Sequence, residues 1–289
     1  GATLNPVVTT NGTYTLVVTN NTNGCTDSET ATVTANLGLP DITIAPASPI
    51  TCSVLSVPLN ATGTSSGTNF TYQWGTIDGQ INSGANSLTP VAGKPGTYTL
   101  IVTNTTNNCT ATENVVVPAN NVLPIINPGP NQLLNCTQPE LTINATGSTG
   151  PQYTYQWTAP SGVMILAGAN TLTPVVNEPA TYTVQVTNTT TGCTQTASIL
   201  ISQDAGEPVI LMADPAPLTC NIGQITINAA GSSTGGGFLP EWFGPSILSG
   251  QNSLAPLVDM PGVYTLVITN SDNGCVSTST ITVPENKTA

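Results

Sequence analysis

Residues 96–104 read Gly96-Thr97-Tyr98-Thr99-Leu100-Ile101-Val102-Thr103-Asn104, and after a short polar break the chain continues Asn108-Cys109-Thr110-Ala111-Thr112. Tyr98, Leu100 and Val102 fall on one side of an extended chain, with threonine on much of the other. Alternation of period two in β-branched residues is the pattern of a half-buried strand. The break is a turn, and the alternating run beyond it closes a hairpin. The passage is written four times, at Thr13–Thr19, Thr97–Thr103, Thr181–Thr187 and Val263–Thr269. Tyr14, Tyr98, Tyr182 and Tyr264 precede Cys25, Cys109, Cys193 and Cys275 by 11 residues each time.

Upstream of each full copy stand a second cysteine and a tryptophan. Cys52, Cys136 and Cys220 are spaced 84 and 84 apart, and Trp74, Trp157 and Trp242 follow them by 22, 21 and 22 residues. A constant period identifies a tandem array. The expected modules are 39–122, 123–206 and 207–289, preceded by 1–38, which matches only the second half of a unit. Further modules are expected upstream.

Each module reads as about seven short strands with turn signals every 8–12 residues and one Trp on the third strand. That is the pattern of an immunoglobulin-like sandwich. The fold class is therefore all-β: tandem immunoglobulin-like β-sandwich modules in an elongated array. Gly96-Thr97-Tyr98 and Gly262-Val263-Tyr264 look like tyrosine corners, with Ala180 replacing the glycine in the third module. Trp74, Trp157, Trp242 and the four tyrosines are expected in the cores, and the expected strands include Val57–Thr62, Phe70–Trp74 and Ser87–Val91.

Composition narrows function. Two Lys or Arg stand against 14 Asp or Glu, giving a net charge of −12. That excludes nucleic-acid binding, which needs a cationic footprint, and docking on an anionic membrane. No apolar run is long enough to span a bilayer as a helix. There is no His for acid–base chemistry and no Gly-rich loop between a strand and a helix, so no catalytic residue is assigned and no enzyme is expected. No cofactor is expected either. The one metal candidate is a calcium site of Asp204, Glu207 and Asp214 at the junction of the last two modules.

Seven single cysteines without histidine or CxxC spacing point to structural disulfides in an oxidising compartment, and hence to a secreted or cell-surface protein. Two pairings fit. Within modules, the bridges are Cys52–Cys109, Cys136–Cys193 and Cys220–Cys275. Across modules they are Cys52–Cys193 and Cys136–Cys275, leaving Cys25, Cys109 and Cys220 for other modules or another subunit. The cysteines lie about nine residues outside the inter-sheet positions of an antibody domain, in opposite directions along strands that run the same way. With about 3.3 Å per residue, the two cysteines of one module stand too far apart for a bond that needs Cα atoms within about 7 Å. Base rates favour the first pairing and this geometry the second.

The motifs Tyr-Thr-hydrophobic-x-Val-Thr, Gly-Cys-Thr and Tyr-Gln-Trp (Tyr72–Trp74, Tyr155–Trp157) resemble the tandem Ig/PKD-like repeats of large cell-surface proteins of gliding and filament-forming Bacteroidota, including SprB-like gliding adhesins. The resemblance implies export by a type IX route and a role in adhesion, gliding motility or extracellular filaments. The expected partners are further copies of the module in cis, with self-assembly into fibres. A glycan- or ligand-binding adhesin, which should display a shared groove with aromatic residues, and an accessory array of a secreted hydrolase are the alternatives.

Overall fold

The computed structural model describes residues 4–286; residues 1–3 and 287–289, the outer ends of the first and last expected modules, lie outside them. The described residues form strands, turns and loops, with no helix among them. The chain divides into two compact units, Gly1–Val122 and Leu123–Ala289.

The first unit begins with a hairpin of β1 (Gly12–Thr19) and β2 (Thr26–Val33), in register from Gly12↔Val33 to Thr19↔Thr26. A complete module follows. Its strands are β3 (Ile50–Thr51), β4 (Val57–Pro58), β5 (Phe70–Thr76), β6 (Gln80–Ser83), β7 (Val91–Lys94), β8 (Gly96–Asn104), β9 (Thr110–Val117) and β10 (Ala119–Asn120). One sheet runs β5-β8-β9 and the other β4-β7-β6, while β3 pairs in parallel with β10. Val57, Leu59, Ala61, Trp74, Tyr98, Leu100 and Val102 close the core between the sheets.

The second unit repeats this plan twice. The third module comprises β11 (Ile126–Asn127), β12 (Gln132–Asn135), β13 (Leu141–Thr142), β14 (Thr146–Gly147), β15 (Tyr153–Thr158), β16 (Ile165–Ala167), β17 (Val175–Val176), β18 (Ala180–Asn188) and β19 (Thr194–Asp204). The fourth comprises β20 (Leu218–Thr219), β21 (Ile225–Thr226), β22 (Phe238–Phe243), β23 (Ile247–Ser249), β24 (Leu257–Val258), β25 (Gly262–Asn270), β26 (Val276–Val283) and β27 (Glu285–Asn286). Their Trp-bearing sheets run β12-β19-β18-β15 and β22-β25-β26, each facing a small three-stranded sheet, β13-β17-β16 or β21-β24-β23. Separate cores form around Trp157 with Tyr182 and around Trp242 with Tyr264. The protein is a series of immunoglobulin-like β-sandwich modules.

The strands expected at Val57–Thr62 and Ser87–Val91 are shorter and shifted, with β4 ending at Pro58 and β7 starting at Val91. Their ladder nonetheless continues, because Leu59 N–H donates to the Pro90 carbonyl and Ala61 N–H to that of Leu88, each at 2.9 Å. Pro174 and Pro256 accept the same bond from Ile143 and Ile227. A proline accepts but has no N–H to return, so the recurring proline leaves half a ladder at this place in each of the three complete modules.

Candidate functional site

The tryptophans and tyrosines that mark the repeat are placed by period-two alternation. Trp74, Trp157 and Trp242 are 4%, 4% and 0% exposed, and each indole N–H donates across the sandwich to the carbonyl of Ser87, Thr171 or Ser253 at 2.8–2.9 Å. A buried indole with its one donor satisfied loses little by leaving water. Tyr98, Tyr182 and Tyr264 are fully buried, and their hydroxyls donate to the carbonyls of Lys94, Glu178 and Met260, four residues upstream. Tyr14 makes the same bond to Thr10 at 2.8 Å, although it is not fully buried. Burial pushes the Tyr182 phenol above its ordinary value, and the nearby Glu178 charge adds to this. Burial does the same to Tyr264, with the Asp259 charge adding.

The cysteines belong to the module ends. Cys136 follows β12, which runs parallel to the last residues of β19, with Asn135 opposite Asp204. Cys193 sits in the turn before β19, at the other end of that 11-residue strand. At 3.3 Å per residue the two are on the order of 35 Å apart, so the within-module bond Cys136–Cys193 does not form. Cys136 bonds instead to Cys275 of the next module, with Cα atoms 5.0 Å apart. Cys109 and Cys220 are free thiols, so the within-module bonds Cys52–Cys109 and Cys220–Cys275 are absent too; Cys25 is also free. Cys52 and Cys193 are both in disulfide linkage.

Around the Cys136–Cys275 bridge the two modules of the second unit are joined by backbone as well. Cys136 N–H donates to the Asn273 carbonyl at 3.0 Å. Asn273, 2% exposed, donates through Nδ2 to Asp204 Oδ1 at 2.9 Å and to the Gly206 carbonyl at 3.0 Å, clamping the linker, while its Oδ1 accepts from Cys275 N–H. Ser277 Oγ donates to the Pro208 carbonyl at 2.6 Å. Gly274 has φ +70, and a Cβ there would run into Thr137, so the close approach requires glycine twice over. Reading the sequence missed Asn273. Its signal is the residue two before each trailing cysteine: Asn23, Asn107, Thr191 and Asn273.

The calcium candidates are not assembled. Asp204 is taken up by Asn273, Glu207 and Asp214 are exposed, and no group of three or more His, Cys, Asp or Glu able to hold a metal ion occurs among the described residues.

A shallow open hollow recurs on the outer face of the Trp-bearing sheet. Thr71, Gln73, Ile101 and Thr103 with Asn86 line it in the second module, Thr154, Gln156, Gln185 and Thr187 with Asn170 in the third, and Leu239, Glu241, Val267 and Thr269 with Asn252 in the fourth. The asparagine is constant while the floor changes, from Thr, Gln, Gln and Thr in the third module to Leu, Glu, Val and Thr in the fourth. Phe70 and Tyr72, or Tyr153 and Tyr155, border it in two modules; in the fourth, Phe238 and Pro240 hold those places, and Phe238 is not among the lining residues. No helix among the described residues is long and apolar enough to cross a membrane, which says nothing of β-barrels.

No protein-family model matches the chain, and no curated protein matches it. Among solved structures it is similar to the titin I-band fragment I67–I69, at 12% identity over 86% of this chain and 98% of that one, with a TM-score of 0.40. It is similar also to the eight N-terminal Ig domains of Down syndrome cell adhesion molecule, at 14% identity over 96% of this chain, with a TM-score of 0.37; it spans 40% of that fragment. Three N-terminal domains of the outer capsid protein Hoc of bacteriophage RB49 match at 15% identity over 86% of this chain and 99% of that one, with a TM-score of 0.36.

Proposed function

We propose that the chain is a spacer of a secreted cell-surface protein: a run of immunoglobulin-like beads stapled to one another, serving as a stalk or filament in adhesion or gliding motility. The observation that carries this reading is the Cys136–Cys275 bridge, whose partners lie 139 residues apart and belong to consecutive modules. A bridge inside a small domain stabilises that domain. One placed between consecutive domains also limits how far they can be drawn apart, which is a property of a load-bearing chain. Disulfides also require an oxidising compartment, which supports an extracellular location. The net charge of −12 keeps such chains soluble and mutually repulsive at a crowded surface.

Electron microscopy of native surface material tests the reading. A uniform thin fibre or stalk with an axial repeat of one or a few modules is the expected result, and compact particles without that repeat would overturn it.

A second reading, a ligand-binding adhesin, is favoured by the hollow shared by the three complete modules. Its changing floor, and Pro240 where the other two modules have Tyr72 and Tyr155, argue against one common ligand. Binding to a panel of immobilised glycans, lost on replacing Asn86, Asn170 and Asn252 together by leucine, would move the conclusion to that reading.

A further inference from the structure

We propose that Asn273-Gly274, in the turn that clamps the third module to the fourth, is a self-modification site. It is held unreactive while the junction is closed, it deamidates when the junction opens, and the product no longer closes the clamp. The inference rests on the geometry of that turn and goes beyond the reading of the chain as a stalk.

The dipeptide supplies the reactive pair. Glycine has no side chain to keep its backbone nitrogen away from the Cγ of a preceding asparagine. In the reaction the Gly274 nitrogen loses its proton and bonds to Asn273 Cγ, the Cγ–Nδ2 bond breaks, and Nδ2 leaves as ammonia. Water then adds to the five-membered imide. Addition at Cγ gives aspartate; addition at the backbone carbonyl carbon of residue 273 gives isoaspartate, with the chain running through the side chain. One water is consumed and one ammonia released, and no electrons change hands. Among the three complete modules this chemistry is confined to one turn. The same two places hold Asn107-Asn108 in the second module, where a side chain crowds the attacking nitrogen. They hold Thr191-Gly192 in the third, where threonine has no amide to lose.

The closed junction blocks each requirement of that reaction. Asn273 is 2% exposed, which keeps water from its amide. Its Nδ2 is held by Asp204 Oδ1 and the Gly206 carbonyl, and its Oδ1 by the Cys275 N–H at 2.9 Å, so the amide cannot swing. The attacking nitrogen is held too, because Gly274 N–H donates to the Asn270 carbonyl at 2.7 Å. The restraints on Nδ2 come from the linker, and the Asn273 carbonyl accepts from Cys136 N–H of the preceding module. They last only while the two modules stay together, and local openings cost less than global unfolding. The product is the opposite of a clamp. A carboxylate at position 273 has no N–H for the Gly206 carbonyl, and it sets a second negative charge beside Asp204, whose Oδ1 now lies 2.9 Å from a donor. Like charges so close repel, the more so away from bulk water. An opening that ends in deamidation is therefore a one-way step. The Cys136–Cys275 bridge, by keeping the modules together, guards the amide.

The test follows deamidation at Asn273 by peptide mapping and mass spectrometry while the full chain is incubated at neutral pH. In the native oxidised chain Asn273 should deamidate about tenfold or more slowly than in the same chain unfolded in urea with its bridges reduced. C136S/C275S, checked as folded by its Trp157 and Trp242 emission, should fall between the two. Should that variant not fold, the wild-type chain reduced in buffer without urea makes the same comparison. N273D, which carries the product, should speed amide hydrogen exchange at residues 134–137 and 204–207 by about tenfold or more while the tryptophan emission stays native. Equal rates in the native and unfolded chains would overturn the proposal. So would a rate no faster than native once the bridge is removed, or native exchange across the junction in N273D.

Discussion

At the scale of single residues, the junction depends on Gly274. Its positive φ and its contact with Thr137 leave no room for a side chain. Gly274→Ala should cost roughly 1–3 kcal/mol, measured as a lower denaturant midpoint for the second unit, because strain and collision add. Asn108 at φ 58 marks the same conformation in the turn that carries the free Cys109. The buried tyrosines give a pH signature. Tyr182 and Tyr264 hold their protons more tightly folded than unfolded, first through burial and then through Glu178 and Asp259. A phenol whose folded pKa is raised contributes its stability in full below the unfolded value of about 10, and loses it as pH rises from there toward the folded value. Denaturant midpoints should therefore fall above about pH 10. Tyr182→Phe should flatten that fall while costing about 1 kcal/mol at neutral pH, since the bond to the Glu178 carbonyl goes with the hydroxyl.

At the scale of elements, the long hairpins were legible because their strands carry eight to eleven residues of alternation, with one face buried in the three complete modules. Trp74 and Tyr98 could be placed on inner faces by counting in twos. The short strands were not legible in that way. Segment β12 has four residues, and nothing in Gln132–Asn135 announces that it pairs in parallel with the end of β19 rather than antiparallel with a neighbour. Yet that pairing decides which cysteine Cys136 can reach. The sequence therefore left two disulfide patterns open, and the length of β19 separates them. Asn273 escaped notice for a related reason: an asparagine before a Gly-Cys turn reads as turn chemistry, and its linker partners, Asp204 and Gly206, are 67–69 residues away. The bridge also makes a prediction at this scale. Replacing Cys136 and Cys275 together by serine should lower the unfolding free energy of the second unit by about 2–4 kcal/mol, in keeping with the long loop it closes. Trp157 and Trp242 emission followed through urea unfolding should record this as an earlier transition, and an unchanged midpoint would count against a stabilising staple.

At the scale of the whole molecule, each complete module has its own core, and the cores would unfold under tension as separate events were the chain not cross-linked. The Cys136–Cys275 bond encloses the residues between them, so those residues cannot lengthen the chain while the bond is intact, whether or not their modules are folded. At about 3.5 Å per extended residue, the 139-residue separation corresponds to roughly 480 Å of contour length withheld. Single-molecule stretching from the two ends should show this directly. Oxidised molecules should rupture at a short extension, and molecules pulled in a strong reductant should gain at least roughly 480 Å more before going taut. Equal final lengths in the two conditions would mean that the bridge is not formed in solution. A difference of that size would mark the staple as a limit on extension, acting even after the cores give way. That behaviour suits a tether at a cell surface, where a module can yield to a transient load without the chain running out to its full length.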